Sequence, residues 1–183
     1  MHVVTLPDEP YGQLLPTADR LQADTWPAFL LAKLEQRARV SWSWLSRDVP
    51  RLGEKLRGLE RLIVALPTQP RKALVHGDYS QYNVLLDDRL AVSAVLDFSL
   101  YAVVGDHRLD VACAVFFPAV IPAVRPSYLA FLQARAKRAY GEDIEAALRL
   151  YRPLYSFYNA DNYGHDPVIY AKCVEGITNS GLD

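Results

Sequence analysis

Between two short apolar runs the sequence reads Leu74-Val75-His76-Gly77-Asp78-Tyr79-Ser80-Gln81-Tyr82-Asn83-Val84-Leu85-Leu86. Packing of such runs needs no imidazole, carboxylate or carboxamide, and loops held between rigid strands are where reactive groups are usually placed. Four residues separate Asp78 from Asn83, and a second carboxylate, Asp97, closes another apolar run fourteen residues after Asn83. This donor set suits phosphoryl transfer. A transferring phosphoryl group carries its charge on oxygens, which a hard divalent cation neutralises. Mg²⁺ is commonly held by one or two protein oxygens, with waters and the phosphates completing its shell, so Asn83 and Asp97 are sufficient protein ligands. Asp78 is then free to orient a hydroxyl and take its proton. Each element alone has a plainer reading: His76-Gly77-Asp78 as a polar turn, Asp97 as a strand-end cap. Their order, each preceded by a strand-like run, is what points to chemistry.

The elements around this loop follow from periodicity. Residues 1–22 carry Pro7, Pro10, Gly12 and Pro16 without a sustained pattern and read as an irregular lead-in. A helix is expected after Asp24 or Thr25, with Pro27 in its first turn and Trp26, Leu30 and Leu34 on one face. Leu45, Val49, Leu52, Leu56, Leu59, Ile63 and Leu66 alternate steps of four and three, which predicts one core-facing helix with Pro50 in its first turn. Pro67 and Pro70 end it. Short strands are expected at Ala73–Val75, Val84–Leu86 and Val92–Phe98, the last two forming a hairpin about Asp87-Asp88. Helical spacing resumes near Arg108, again from Pro126 to Tyr140 with Gly141 as a stop, from Asp143 to about Tyr158, and after Asp166-Pro167. The expected fold class is α+β and mainly helical, with a small β insert that carries the loop.

Composition bounds the rest. The 183 residues suit one domain, and 51% hydrophobic with 22% charged residues is a globular balance. A net charge of -1 gives no reason to expect nucleic acid or an anionic membrane as partner. The apolar stretch Val111–Val124 is interrupted by Pro118 and Pro122 and is too short to span a bilayer. Met1 and its neighbours lack the basic-then-apolar pattern of a signal peptide, so the expected location is cytoplasmic. Cys113 and Cys173, far apart and in apolar surroundings, read as reduced core thiols.

His76-Gly77-Asp78 with Asn83, then Leu96-Asp97-Phe98, then Gly105-Asp106-His107-Arg108-Leu109-Asp110, resembles the signature of the aminoglycoside-phosphotransferase and choline-kinase-like superfamily. Protein kinases place an Asp and an Asn at the same spacing. The resemblance is specific between His76 and Asp110 and extends more loosely from Tyr11 to the C-terminus. It implies an ATP-dependent kinase of small hydroxylated molecules, with Asp78 as catalytic base and Asn83 and Asp97 as Mg²⁺ ligands. His76 would brace the loop, Asp110 would buttress it from behind, and Ser80 would lie near the γ-phosphate of the nucleotide. Asp106 also suits a helix cap on its own terms. The family usually has Pro where this sequence has His107, which touches no catalytic role.

The same resemblance implies a protein-kinase-like C-terminal lobe with the N-terminal β lobe absent and residues 1–22 standing as interlobe linker. None of the nine glycines forms Gly-x-Gly, and Lys33, Lys55 and Lys72 lie outside any Val-Ala-x-Lys strand. A surface normally covered by that lobe should then be exposed and partly apolar, which favours a homodimer or a partner chain. On the acceptor side the resemblance points to the later helices, where Tyr155, Asn159 and Asp161 are candidate substrate contacts. Tyr151, Tyr155 and Tyr158 equally fit a packed helix face. The acceptor is open among an antibiotic, a sugar and an amino alcohol. Opposed to the enzyme stands a non-catalytic lobe acting in binding or regulation; the retained Asp78, Asn83 and Asp97 favour the enzyme.

Overall fold

The computed structural model describes residues 4–121 and 124–183; residues 1–3 of the lead-in and Pro122 lie outside them. The chain is mainly helical, with two small antiparallel sheets. Strand β1 (Tyr11–Gln13) pairs with β2 (Gln22–Ala23), and helices α1 (Trp26–Asp48) and α2 (Leu52–Val64) follow. Next come β3 (Ala73–Val75), the hairpin β4 (Val84–Leu86) and β5 (Val92–Val95), and β6 (Val103–Gly105). Helices α3 (Arg108–Val120), α4 (Pro126–Tyr140), α5 (Asp143–Asn159) and α6 (Pro167–Thr178) complete the chain.

Caps set the helix ends. Thr25 accepts a hydrogen bond from Ala28 N at the start of α1, and Asp166 accepts from Val168 N and Ile169 N at the start of α6. Each supplies a side-chain oxygen to an N–H that the helix itself leaves unpaired. Gly141, at φ 79, stops α4. One boundary differs from expectation. The stripe from Leu45 to Leu66 is shared by two helices: α1 ends at Asp48, Val49 is extended, and Arg51 turns left-handed at φ 55. Pro50 lacks the N–H that would continue α1, so the chain breaks there while the apolar stripe carries on.

Three strands have no counterpart in the periodicity. β1 falls within the stretch read as irregular; β1, β2 and β6 are only two or three residues long and wholly or partly buried. The sheet order is β2-β1-β6-β3. β3 thus lies beside β6, with Leu74 opposite Val104 and Val75 opposite Val103. That pairing places the chain leaving β3 next to the chain leaving β6. Trp26, fully buried, lies across β6: a Cβ at Gly105 would sit 2.2 Å from its indole ring. Glycine at this position is therefore a packing requirement of the Gly105-Asp106 pair.

The core joins α1, α3, α5 and α6 through Leu30, Leu34, Cys113, Leu154, Phe157 and Ile177. Both cysteines are buried and unpaired. The β4–β5 hairpin stands out from this core, and Leu86, Leu90, Val92, Phe98 and Leu100 along it and the loop after it are exposed. Among the described residues no helix is long and apolar enough to cross a membrane.

Candidate active site

Two chain segments meet at the site. The first leaves β3 as His76-Gly77-Asp78 and ends in a single 3-10 turn, Gln81–Asn83. The second runs up β5 to Leu96-Asp97. Hairpin register brings their ends together: Val84 pairs with Val95, and Leu96 N donates to Asn83 O at 2.8 Å. Asp97 follows immediately, so Asn83 and Asp97 flank the open end of one hairpin.

His76 ties the segments. Its ring is buried, its Nδ1 accepts from Asp78 N at 3.2 Å, and its Nε2 lies 2.7 Å from Leu96 O. An Nδ1 that accepts must be unprotonated, so Nε2 carries the hydrogen and donates to the Leu96 carbonyl. A neutral imidazole in this tautomer fixes Asp78 and the residue before Asp97 to one rigid group. Phe98 packs on the ring with centroids 4.7 Å apart.

Asp110, from the first turn of α3, holds the loop from behind. Its two carboxylate oxygens accept from His76 N and Gly77 N, each at 2.8 Å. Gly77 takes φ 75, and a Cβ there would sit 2.1 Å from Tyr101 O. Left-handed backbone costs a non-glycine residue about 1–2 kcal/mol, and here backbone blocks the side chain as well. Gly77→Ala should therefore unfold at lower temperature by roughly 5–10 °C, as about 2–4 kcal/mol predicts for a chain of this size. Thermal denaturation by circular dichroism would check it.

Asp106 lies to one side in a closed network. It accepts from Arg108 N at 3.0 Å, pairs with the Arg108 guanidinium, and accepts from Tyr151 Oη at 2.8 Å; Tyr151 in turn accepts from Trp26 Nε1. Burial pushes its carboxyl up, but the hydrogen bonds from Arg108 and Tyr151 outweigh burial and hold it below the usual carboxylate range. Asp106 is thus a folded-in structural carboxylate.

Asp78 is the opposite case. Burial raises its carboxyl, the Asn83 amide pulls it down, and the Asp97 charge adds to the rise. Asn83 Nδ2 donates to Asp78 O at 2.9 Å and to Asp78 Oδ2 at 3.3 Å. An amide that donates through Nδ2 leaves its Oδ1 as a bare oxygen. Asp97 is exposed and holds φ 58, a left-handed conformation uncommon outside glycine. Such outliers persist where the surroundings impose them, which is common at functional sites. One amide oxygen and one exposed carboxylate at the hairpin mouth are hard ligands of the number Mg²⁺ takes from protein.

Ser80 lies in the wall of the cleft beside Asp78, and the acceptor-side candidates lie on and after α5. Ser80 is buried, and its backbone closes the turn by accepting from Asn83 N. Tyr155 is 3% exposed, with Phe116 and Phe117 edge-on at 5.2 and 5.9 Å. Asn159 donates to Tyr155 O, and Asp161 is paired with Arg37. The reason is the amphipathic turn of α5: its aromatic face points into the core, where Tyr151 and Tyr158 also lie. The open cleft beside Asp78 is instead lined by Phe117, Ile121, Asp166, Val168 and Ile169. These come from the end of α3 and the first turn of α6. Apolar residues on a helix look like core in sequence, so periodicity carries no sign of them; the Asp166-Pro167 helix start was the only signal nearby.

Residues 10–151 match the family model described as the phosphotransferase enzyme family. The chain belongs to the phosphotransferase enzyme family. Solved structures of that kind share its fold. Aminoglycoside phosphotransferase APH(4)-Ia superposes with a TM-score of 0.67 at 23% identity, covering 93% of this chain and 57% of the other. A thermostable mutant of the same protein, in ternary complex with AMP-PNP and hygromycin B, gives 0.66 at 23% identity with the same coverage. A protein described as a fructosamine-3-kinase from Thermobifida fusca YX-ER1 gives 0.55 at 19% identity, covering 95% of this chain and 59% of the other. The chain thus spans under two thirds of the length of these phosphotransferase-fold structures. A search of curated proteins found no significant match.

Proposed function

We propose that this phosphotransferase-family chain is the catalytic lobe of a cytoplasmic ATP-dependent kinase that phosphorylates a hydroxyl of a small molecule. The observation that carries the reading is the hairpin mouth: Asn83 and Asp97 are brought together across the β4–β5 register, with Asp78 hydrogen-bonded to Asn83 beside an open cleft. Nucleotide complexes of APH(4)-Ia support it.

Asp78 accepts the acceptor's proton and aligns its oxygen with the γ-phosphoryl group. The raised pKa places its proton affinity closer to neutrality than an ordinary carboxylate, which favours a base that must be recharged each turnover. Asn83 Oδ1 and Asp97 would hold Mg²⁺, which when bound neutralises charge on the phosphates. His76 and Asp110 hold the loop's backbone so that Asp78 need not reorganise during the reaction. The acceptor cleft, with Phe117, Ile121, Val168 and Ile169, suits a molecule with an apolar face; Asp166 is the one carboxylate besides Asp78 among its lining residues. That favours a neutral or singly cationic acceptor over a polycation.

The glycine-rich loop and the phosphate-gripping lysine of this kind of enzyme are not represented in the 183 residues. In this reading another polypeptide segment supplies them and covers the exposed apolar hairpin face. A non-catalytic binding module is the second reading, favoured by the same exposed face. The two separate on transfer of ³²P from [γ-³²P]ATP with Mg²⁺ to a panel of hydroxylated acceptors. Transfer that disappears in Asp78→Asn supports the kinase; transfer that persists in the variant would overturn the assignment of the base.

A further inference from the structure

A groove of about 450 Å³ lies between α5 and α6 and shares no lining residue with the cleft at Asp78. Arg149 and Arg152, three positions apart on α5 and so on one face, line it, together with Gln133 and Asn179. Among the described residues neither guanidinium has a carboxylate or carbonyl partner, and Arg152 Nε is buried without an acceptor. The two glutamates in the same wall are already matched. Glu145 meets Lys137 at 3.3 Å, and Glu175 meets Lys172 at 2.8 Å.

A guanidinium remains charged throughout the physiological range, and a buried N–H with no acceptor is costly. Burial draws the Arg152 pKa down with nothing opposing it, as expected for a cation lacking its counterion. A forked pair of arginines is the arrangement that receives a planar or tetrahedral oxyanion through two parallel N–H bonds. The groove is also larger than such a group needs, and Ile144, Leu148 and Pro153 give it an apolar floor.

We propose that this groove binds a small organic oxyanion, its phosphate or carboxylate held by Arg149 and Arg152 and its apolar body lying on Leu148 and Pro153. Gln133 and Asn179 supply amide donors at the rim. The site is independent of phosphoryl transfer and would exist in the lobe whether or not it is catalytic.

Calorimetric titration at constant ionic strength tests it, using phenyl phosphate, benzoate and inorganic phosphate on the wild-type chain, Arg152→Met and Arg149→Gln. Phenyl phosphate and benzoate should each bind one site, with inorganic phosphate roughly tenfold weaker than phenyl phosphate because it lacks the body. Arg152→Met should weaken both organic anions by about tenfold or more. Its melting temperature without anion should equal or exceed the wild-type value, since an unpaired buried cation has been removed. Arg149 is exposed and unpaired, so Arg149→Gln keeps the fold and should weaken binding several-fold. Affinities unchanged in both arginine variants would overturn the site. Inorganic phosphate binding as tightly as phenyl phosphate would overturn the organic body.

Discussion

Asp78→Asn should make the chain more stable and, under the proposed function, slow phosphoryl transfer. The carboxyl is raised above 3.8 chiefly by burial, so the folded chain binds its proton more tightly than the unfolded one. A raised group favours folding below its unfolded pKa, and that contribution is lost as pH rises through the folded pKa. At neutral pH Asp78 is ionised, and the folded state bears the cost of desolvating it. Asn removes the charge and keeps an oxygen for the Asn83 amide. Asp78 is only half-buried and solvent screens it, so the expected gain is below about 1 kcal/mol, roughly 1–2 °C in Tm at pH 7, fading as pH falls below the raised value. Catalysis should move the other way. Losing a positioned base lowers the rate by roughly 10²–10⁴. In the wild-type enzyme the acid limb of kcat/KM should lie above 3.8, the ordinary value, because the base must be ionised to work. Melting curves at pH 4 and pH 7, with rates over the same range, would show whether stability and activity part in this way.

Asp110→Ala should have the larger structural effect and the opposite sign on stability. Burial raises this carboxyl as well, and the two loop amides pull it back. The difference between the aspartates lies in their partners. Asp110 receives two backbone N–H groups that have no other acceptor, so alanine strands both donors of His76 and Gly77. Hydrogen bonds to a charged group contribute about 1.5–3 kcal/mol each, so the expected loss is roughly 3–5 kcal/mol and a fall in Tm on the order of 10 °C. Asp110→Asn keeps one acceptor oxygen and should fall between alanine and wild type. Urea unfolding of the three chains would rank them; an alanine variant as stable as wild type would remove Asp110 from its supporting role.

The starts of α1 and α6 and the end of α4 were legible because two independent signals agreed there: an apolar stripe and a cap at Thr25, Asp166 or Gly141. Where only the stripe spoke, at Leu45–Leu66, it ran through the break at Pro50 and Arg51, because two successive helices can share one buried face. β1, β2 and β6 were invisible for another reason. Two or three residues cannot show a period, and their pairing is long-range, with Gly12 opposite Val104. The loop of Asp78, Asn83 and Asp97 was legible because polar residues stood where packing had no use for them. The cleft beside Asp78 was not, since Phe117, Ile121, Val168 and Ile169 carry the same apolar side chains inside a core or beside a ligand. Tyr155 is ambiguous for the converse reason: an aromatic ring with a polar tip suits a ligand and equally suits the packed helix face on which it lies.

The most direct test of the site is whether it holds a divalent cation together with a nucleotide. Mn²⁺ can stand in for Mg²⁺ and broadens nearby amide signals even when binding is weak, so the 183-residue chain suffices. With ATP present, Mn²⁺ should broaden the amides of Asn83, Asp97 and their neighbours first, and Asp97→Asn should abolish that selectivity. Broadening centred elsewhere, or unchanged in Asp97→Asn, would contradict the proposed metal site and with it the phosphoryl-transfer account.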